Sequence, residues 1–231
     1  MRGILLNNIR AILFDLDGLL VATGKLHAAA YSAAFGRFGV KLNEDEIYRM
    51  MGIATRENVR RIMSEQGIPQ SKYKEILKLR YDIYHTLVKR TPLAFKDGAV
   101  ECLEYITKKN FQKGLVTSSI REHALSVLEN LMQHSSSRIN LFDYFDVLVF
   151  GDDIEKSKPD PEIYTRACEK LDVEPGHCVA LEDSEAGVLS AKSAGLFVIA
   201  VPNSNTIRHN LENADIRLVS LREIMQKNLF S

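Results

Sequence analysis

Two carboxylates one residue apart, Asp15 and Asp17, interrupt the apolar run ILFDLDGLL at residues 12–20. A strand that otherwise reads as core has no structural need of two acids at its tip, and Gly18 behind them marks a tight turn. The pattern recurs along the chain. GLVTSS ends in Thr117, Ser118 and Ser119. FDVLVFG leads to Gly151, Asp152 and Asp153, and on to Lys158 before Pro159. CVALED ends in Glu182 and Asp183. Each of these alone is ordinary turn or helix-cap chemistry. Together, and in this chain order, they collect carboxylates, hydroxyls and one lysine at the ends of successive strands.

Those residue types suit phosphoryl transfer. Several acids converging on one point need a cation, and an all-oxygen ligand set suits Mg²⁺. A cation also lowers the repulsion between a phosphate dianion and an attacking carboxylate. One carboxylate can form an aspartyl-phosphate. A second, two residues on, points to a different spot, where it can protonate the leaving oxygen and later activate water. Hydroxyls, backbone N–H groups and a lysine can hold the transferred oxygens.

The elements that must position these groups follow from the pattern. RAILFD at 10–15 is a compact apolar run and predicts a buried strand. From about 24 to 90 the chain reads as helix throughout, with starts at Asn43, Thr55 and just after Pro69, and stops at Gly39, Gly52, Gly67 and about Arg90. After Pro92 helices and strands alternate: helix 98–109, strand KGLVTS, helix 121–132, strand FDVLVFG, helix 161–171, strand CVALED, helix 184–194, strand LFVIAV, then a short helix, a weak strand at IRLV and a last helix. QHSSSRIN at 133–140 reads as an exposed loop with no assigned function. Alternation of this kind means an α/β fold, a Rossmann-like parallel sheet with helices on both faces. The expected division is a core of residues 1–22 and 92–231, with an inserted all-helical cap at 23–91. In such sheets ligands bind beyond the carboxyl ends of the strands, where the acids lie.

Composition narrows the class. Lys+Arg and Asp+Glu number 30 each among 231 residues, so nothing points to a nucleic-acid partner. No apolar run approaches the ~18 residues of a membrane span, and MRGILLNNIR is too short an apolar stretch for a secretory signal. Cys102, Cys168 and Cys178 are odd in number and lack CxxC spacing, which argues against a disulfide framework or a zinc site and for a reducing cytoplasm.

The combination of DLDGLL, VTSS, KSKPDPEIY and LEDSEAG, in that order, resembles the haloacid dehalogenase superfamily, in its branch of β-phosphoglucomutase-like phosphatases with a helical cap. The resemblance runs from about residue 9 to 225. It implies that Asp15 is the nucleophile and a metal ligand, and that Asp17 is the general acid/base, with its backbone carbonyl on the metal. Thr117 would bind the phosphoryl oxygens, helped by the backbone around Ser118 and Ser119. Lys158 would neutralise the nucleophile and the phosphate. Asp183 would bind Mg²⁺, with Glu182 a ligand directly or through water. An aspartate at position 17 sets the chain apart from the dehalogenase and phosphonatase branches and implies phosphate esters as substrates.

In the cap, the resemblance gives His27 a contact with the acid/base aspartate on closure. It makes Thr55 and Arg56 substrate contacts, Arg56 for a second anionic group, although Thr55 also reads as a helix N-cap. Lys78 or Arg80 would supply a further cation. The chain departs from the pattern at Leu19 and Ala22. It also departs at Ile120 and Arg121, where mutase-like members carry a lysine and an asparagine for the distal phosphate; Arg121 alone keeps a charge there. The expected activity is therefore hydrolysis of a small phosphorylated metabolite of the sugar phosphate class by a monomer, the alternative being a β-phosphoglucomutase-like mutase. A signalling receiver domain also carries strand-end acids and a lysine, but it is shorter and has no cap.

Overall fold

The computed structural model describes residues 8–135, 137 and 139–230. The first seven residues of the N-terminal stretch, and Ser136 and Arg138 of the polar stretch 133–140, lie outside the described residues.

Among the described residues six parallel strands form one sheet in the order β3-β2-β1-β4-β5-β6, with β1 at Ala11–Phe14, β2 at Gln112–Val116, β3 at Val147–Val149, β4 at Cys178–Glu182, β5 at Phe197–Ala200 and β6 at Ile216–Arg217. β1 is fully buried, as a strand covered on both faces must be. Ile12 and Phe14 face one hydrophobic core with helices α5 (Ala99–Thr107) and α6 (Arg121–His134), and Ala11 and Leu13 face another with α8 (Glu162–Leu171) and α9 (Glu185–Ser193). Phe14 is level with Leu115 of β2 and Leu181 of β4, so the three central strands end side by side.

Between β1 and β2 the chain forms α1 (Gly24–Gly36), α2 (Glu44–Tyr48), α3 (Thr55–Glu65) and α4 (Tyr73–Arg90). These helices have their own small core of Tyr31, Phe35, Ile47, Met50, Val59, Ile62, Met63 and Ile76. Asn43 starts α2 with a capping box that includes Glu46. The two passages into this segment run side by side, Val21 pairing with Phe95.

Three local expectations change. Thr55 is the first residue of α3 rather than its N-cap; Ala54 holds that place with no side-chain cap. The short helix expected after β5 is a series of turns at 204–208, tied by Asn203 and Thr206 hydrogen bonds. The polar stretch is shorter than its sequence suggests, because α6 continues to His134 and Asn140 caps a four-residue helix, α7 (Leu141–Tyr144).

Candidate active site

The parallel ladder continues one residue past the central strands and fixes the site's backbone. Asp15 N–H donates to the Leu181 carbonyl (3.1 Å) and Thr117 N–H to that of Val149 (3.0 Å). Gly18 then turns the chain with φ +95°, and a Cβ there would lie 2.2 Å from Oδ2 of Asp183. Only glycine meets both demands.

Asp15 and Asp17 enter different environments. Asp15 is buried, with Glu182 and Asp183 beside it; one ligand oxygen from each of the three lies within 4.8 Å of the others. Lys158 Nζ, fully buried, sits 2.7 Å from Asp15 Oδ1 and 2.6 Å from Glu182 Oε1. Tyr164 also donates to Glu182 at 2.6 Å. Asp183 Oδ2 accepts from Asn203 Nδ2 at 2.6 Å and from Thr206 at 3.3 Å. Burial, reinforced by the neighbouring Glu182 and Asp183 charges, raises the Asp15 carboxyl well above its ordinary value, against the pull of Lys158. Burial and then Glu182 raise Asp183 to about 7. Burial alone would lower the Lys158 ammonium, but the Asp15 and Glu182 charges outweigh it and hold it above its usual range. The one ammonium thus pairs two of the three buried carboxylates, and Asp183 has neutral donors. An all-oxygen set with excess negative charge suits a hard divalent cation, and the residues fit such an ion.

Asp17 faces neutral groups instead. Its Oδ1 accepts from Thr23 Oγ1 at 2.6 Å and from Tyr84 OH at 3.4 Å; its Oδ2 accepts from Ser119 Oγ at 2.7 Å and Thr117 Oγ1 at 3.3 Å. His27 Nε2 is 3.5 Å away. Behind it, Arg80 Nη2 is 2.5 Å from His27 Nδ1. A guanidinium only donates, so Nδ1 is the acceptor and Nε2 carries the proton that faces Asp17. Burial first, and then the Arg80 charge, lower the His27 pKa and keep the ring neutral. Burial alone would raise the Asp17 carboxyl, but hydrogen bonds from His27, Thr23 and Ser119 hold it well below the usual carboxylate range. Asp17 is set as a proton acceptor in this arrangement.

The helical segment closes over both acids. Asp15, Asp17, Thr117, Ser118, Ser119 and Asp183 line a cavity of about 50 Å³ opposite His27, Tyr31, Met50 and Thr55. That space holds water but no sugar ring; ligand pockets run to several hundred Å³. Ser118 and Arg56 are among the contacts that latch the segment to the sheet edge. Ser118 Oγ donates to the Gly52 carbonyl at 2.6 Å. The Arg56 guanidinium donates to the carbonyls of Gly151 (2.5 Å), Ile154 (3.3 Å) and Glu155 (2.8 Å).

Of the residues singled out from sequence, Asp15, Asp17, Thr117, Ser118, Ser119, Lys158, Glu182, Asp183 and His27 converge, and Thr55 lines the cavity. Arg56 does not face the acids, because backbone carbonyls occupy its guanidinium. Arg121 turns away: it pairs with Asp153 at 2.8 Å, lies over the Phe150 ring and is half exposed. Lys78 pairs with Asp82 on the surface, while Arg80 is buried between Tyr31 and Tyr84. Sequence reasoning missed Asn203, Thr206, Tyr84 and Tyr164. Asn203 had a signal, since it follows β5 at the same edge; Tyr164 had none, being one aromatic on the apolar face of α8.

The sequence profile of the haloacid dehalogenase-like hydrolases matches residues 12–201. A phosphorylated carbohydrates phosphatase of Thermotoga maritima is 35% identical over 94% of this chain and 97% of its own. A β-phosphoglucomutase of Bacillus subtilis is 30% identical over 84% of this chain and 83% of its own. Among solved structures, CbbY of Rhodobacter sphaeroides in complex with phosphate superposes with a TM-score of 0.81 at 28% identity, over 94% of this chain and 96% of that one.

Proposed function

The chain belongs to the haloacid dehalogenase-like hydrolase family and is a phosphatase of that family; we propose that it is a Mg²⁺-dependent phosphatase of small phosphorylated carbohydrates that works through an aspartyl-phosphate on Asp15. The observation that carries this reading is the division of labour on one loop: Asp15 lies against an ammonium and two acids, and Asp17 against neutral donors. The division of the chain into a catalytic core of 1–22 and 92–231 and a cap of 23–91 is part of the proposal. So are action as a monomer, a cytoplasmic setting, and the absence of nucleic-acid and membrane partners. Among the described residues no helix is long and apolar enough to cross a membrane.

A carboxylate oxygen of Asp15 forms a bond to phosphorus as the substrate's ester P–O bond breaks. Asp17, ionised at rest, takes the proton of the bound monoanionic phosphate ester and passes it to the departing alkoxide. Water then gives a proton to Asp17 and attacks phosphorus, releasing phosphate and restoring Asp15. Lys158 keeps Asp15 oriented and offsets the charge on the transferred group. Thr117 and the N–H groups after it hold the phosphoryl oxygens. His27, oriented by Arg80, steadies Asp17 through both proton transfers. Asp15, Glu182, Asp183 and the Asp17 carbonyl would hold Mg²⁺, which when bound supplies the positive charge that lets a carboxylate approach a phosphate dianion.

The test is phosphate release from a panel of sugar phosphates, with and without Mg²⁺, by the wild type and Asp15→Asn. Mg²⁺-dependent release by the wild type, reduced at least ~10³-fold in the variant, is the expected result. Conversion of glucose 1-phosphate to glucose 6-phosphate with a bisphosphate primer, without phosphate release, would replace the phosphatase with a mutase. The outward turn of Arg121 and the apolar Ile120 favour the phosphatase, because neither supplies a charge for a distal phosphate.

A further inference from the structure

One pair of chemically reactive groups lies outside the site. Cys168, near the end of α8, and Cys178, the first residue of β4, are free buried thiols whose Sγ atoms are 3.6 Å apart. That is sulfur–sulfur contact, about 1.5 Å longer than a disulfide bond. Cys178 is held in the middle of the sheet between β1 and β5, so closing the gap falls to Cys168. Its helix ends three residues later, at Leu171, and the next residue, Asp172, takes φ +53°.

The two thiols differ in access. Cys168 lines an open cleft with Arg10, Glu169, Asp172 and Glu174; Cys178 is not part of that lining and sits beneath it. Three carboxylates against one guanidinium make the cleft acidic, which admits a neutral oxidant and repels an anionic one. The Cys178 thiol alongside lowers the Cys168 thiol from its ordinary value, against burial and the nearby Glu169 and Glu174. Cys102, the third cysteine, is pushed up to about 12 by burial and is an internal control.

We propose that Cys168 and Cys178 are a peroxide-oxidised dithiol that closes to a reversible intramolecular disulfide, clamping α8 to β4. The Cys168 thiolate attacks one oxygen of hydrogen peroxide; the O–O bond breaks, hydroxide leaves, and Cys168 becomes a sulfenic acid. Cys178 then attacks that sulfur, giving up its proton as the hydroxyl departs as water. Two thiols are oxidised by two electrons and one peroxide is reduced to two waters. The odd cysteine count argues against a permanent framework, and it agrees with a bond that comes and goes. Cys178 begins β4 and Glu182 ends it, so the clamp forms about 13 Å of strand away from the acids. The proposal is therefore independent of the phosphatase reading.

The folded wild type is treated with hydrogen peroxide, then denatured, alkylated and digested with trypsin. Two of the three thiols should escape alkylation. The peptide Ala167–Lys170 should be found joined to Leu171–Lys192 until dithiothreitol separates them. Glutathione disulfide, an anion, should react more slowly, and the oxidised protein should unfold at a higher urea concentration than the reduced one. Cys168→Ser and Cys178→Ser should each abolish the joined peptide. Three alkylated thiols after peroxide, a bond involving Cys102, a sulfinic acid at Cys168 without the bond, equal reaction with both oxidants, or a lowered urea midpoint would overturn the proposal.

Discussion

Lys158 Nζ lies 2.7 Å from Asp15 Oδ1 at a point where the lysine is fully buried and the aspartate nearly so, and the same ammonium reaches Glu182 at 2.6 Å. It is the one cation within hydrogen-bond reach of the Asp15 carboxylate among the described residues. Removing one partner of a buried pair costs more than the pair contributes, because the other charge stays behind unpaired. Lys158→Met should therefore lower stability in metal-free buffer by about 3–5 kcal/mol and reduce phosphate release at least ~10²-fold. Urea unfolding and the phosphate assay read the two effects. A variant as stable and as active as the wild type would show that Lys158 neither pairs the acids nor serves the reaction.

A cation should supply what Lys158 cannot. Asp15, Glu182 and Asp183 gather within 4.8 Å with one ammonium among them. Mg²⁺ bound by the native state alone should stabilise it by about 2.7 kcal/mol at a hundredfold excess over Kd. In Asp183→Asn the clustered charge falls by one, so the variant should be nearly as stable as the wild type without Mg²⁺ and should lose most of the Mg²⁺-induced rise. Thermal unfolding of both proteins across a Mg²⁺ titration checks this. An undiminished rise in the variant would place the cation elsewhere.

The latch makes a prediction about access. The space over the acids is about 50 Å³, so we expect a sugar phosphate to enter only when the helical segment lifts. Arg56 holds that segment through three carbonyls on the far side of the cleft. In Arg56→Ala the closed state loses those bonds, each worth about 1.5–3 kcal/mol when the donor is charged. We expect kcat/KM to fall ~10–100-fold, with faster proteolysis in the passages near residues 20–25 and 90–96. Unchanged kinetics and unchanged cleavage would remove Arg56 from the closing device.

What the sequence made legible follows from how parallel sheets are built. A strand buried on both faces must be an apolar run, so AILF and CVALE declare themselves, and whatever polar residue follows them lies at the carboxyl edge. Asp15, Thr117, Glu182 and Asp183 were readable for that reason. Lys158 was singled out by its place in the loop after β3, but its role needed the family pattern, since nothing in that loop fixes where a long side chain points. Arg56 and Arg121 show the limit: each lies at the right place on the chain, yet backbone carbonyls in one case and Asp153 in the other capture the guanidinium. Thr55 failed as a cap by one residue, the usual precision of a helix end. The Tyr164 bond to Glu182 joins a helix face to a strand tip, a pairing that no local pattern encodes.

The joint between the helical segment and the sheet should be acid-sensitive. His123 on α6 is 3% exposed and packs among Tyr81, Tyr84 and His85 of α4. Burial, and then the nearby Arg80, His27 and His85, push its pKa down from 6.5 to about 3, with Asp17 the one charge opposing them. The unfolded chain therefore binds a proton at this residue below about pH 6.5 that the folded protein refuses until about pH 3. Stability from this group is present at neutral pH and is lost as pH falls through that window. Between pH 7.5 and 5 the loss should be about 2 kcal/mol. His123→Phe keeps a ring against Tyr81 and removes the titration. The gap in stability between wild type and variant should therefore shift toward the variant by that amount on going to pH 5. Urea unfolding of both proteins at the two pH values measures it, and parallel losses in the two would mean that the acid sensitivity lies in other groups.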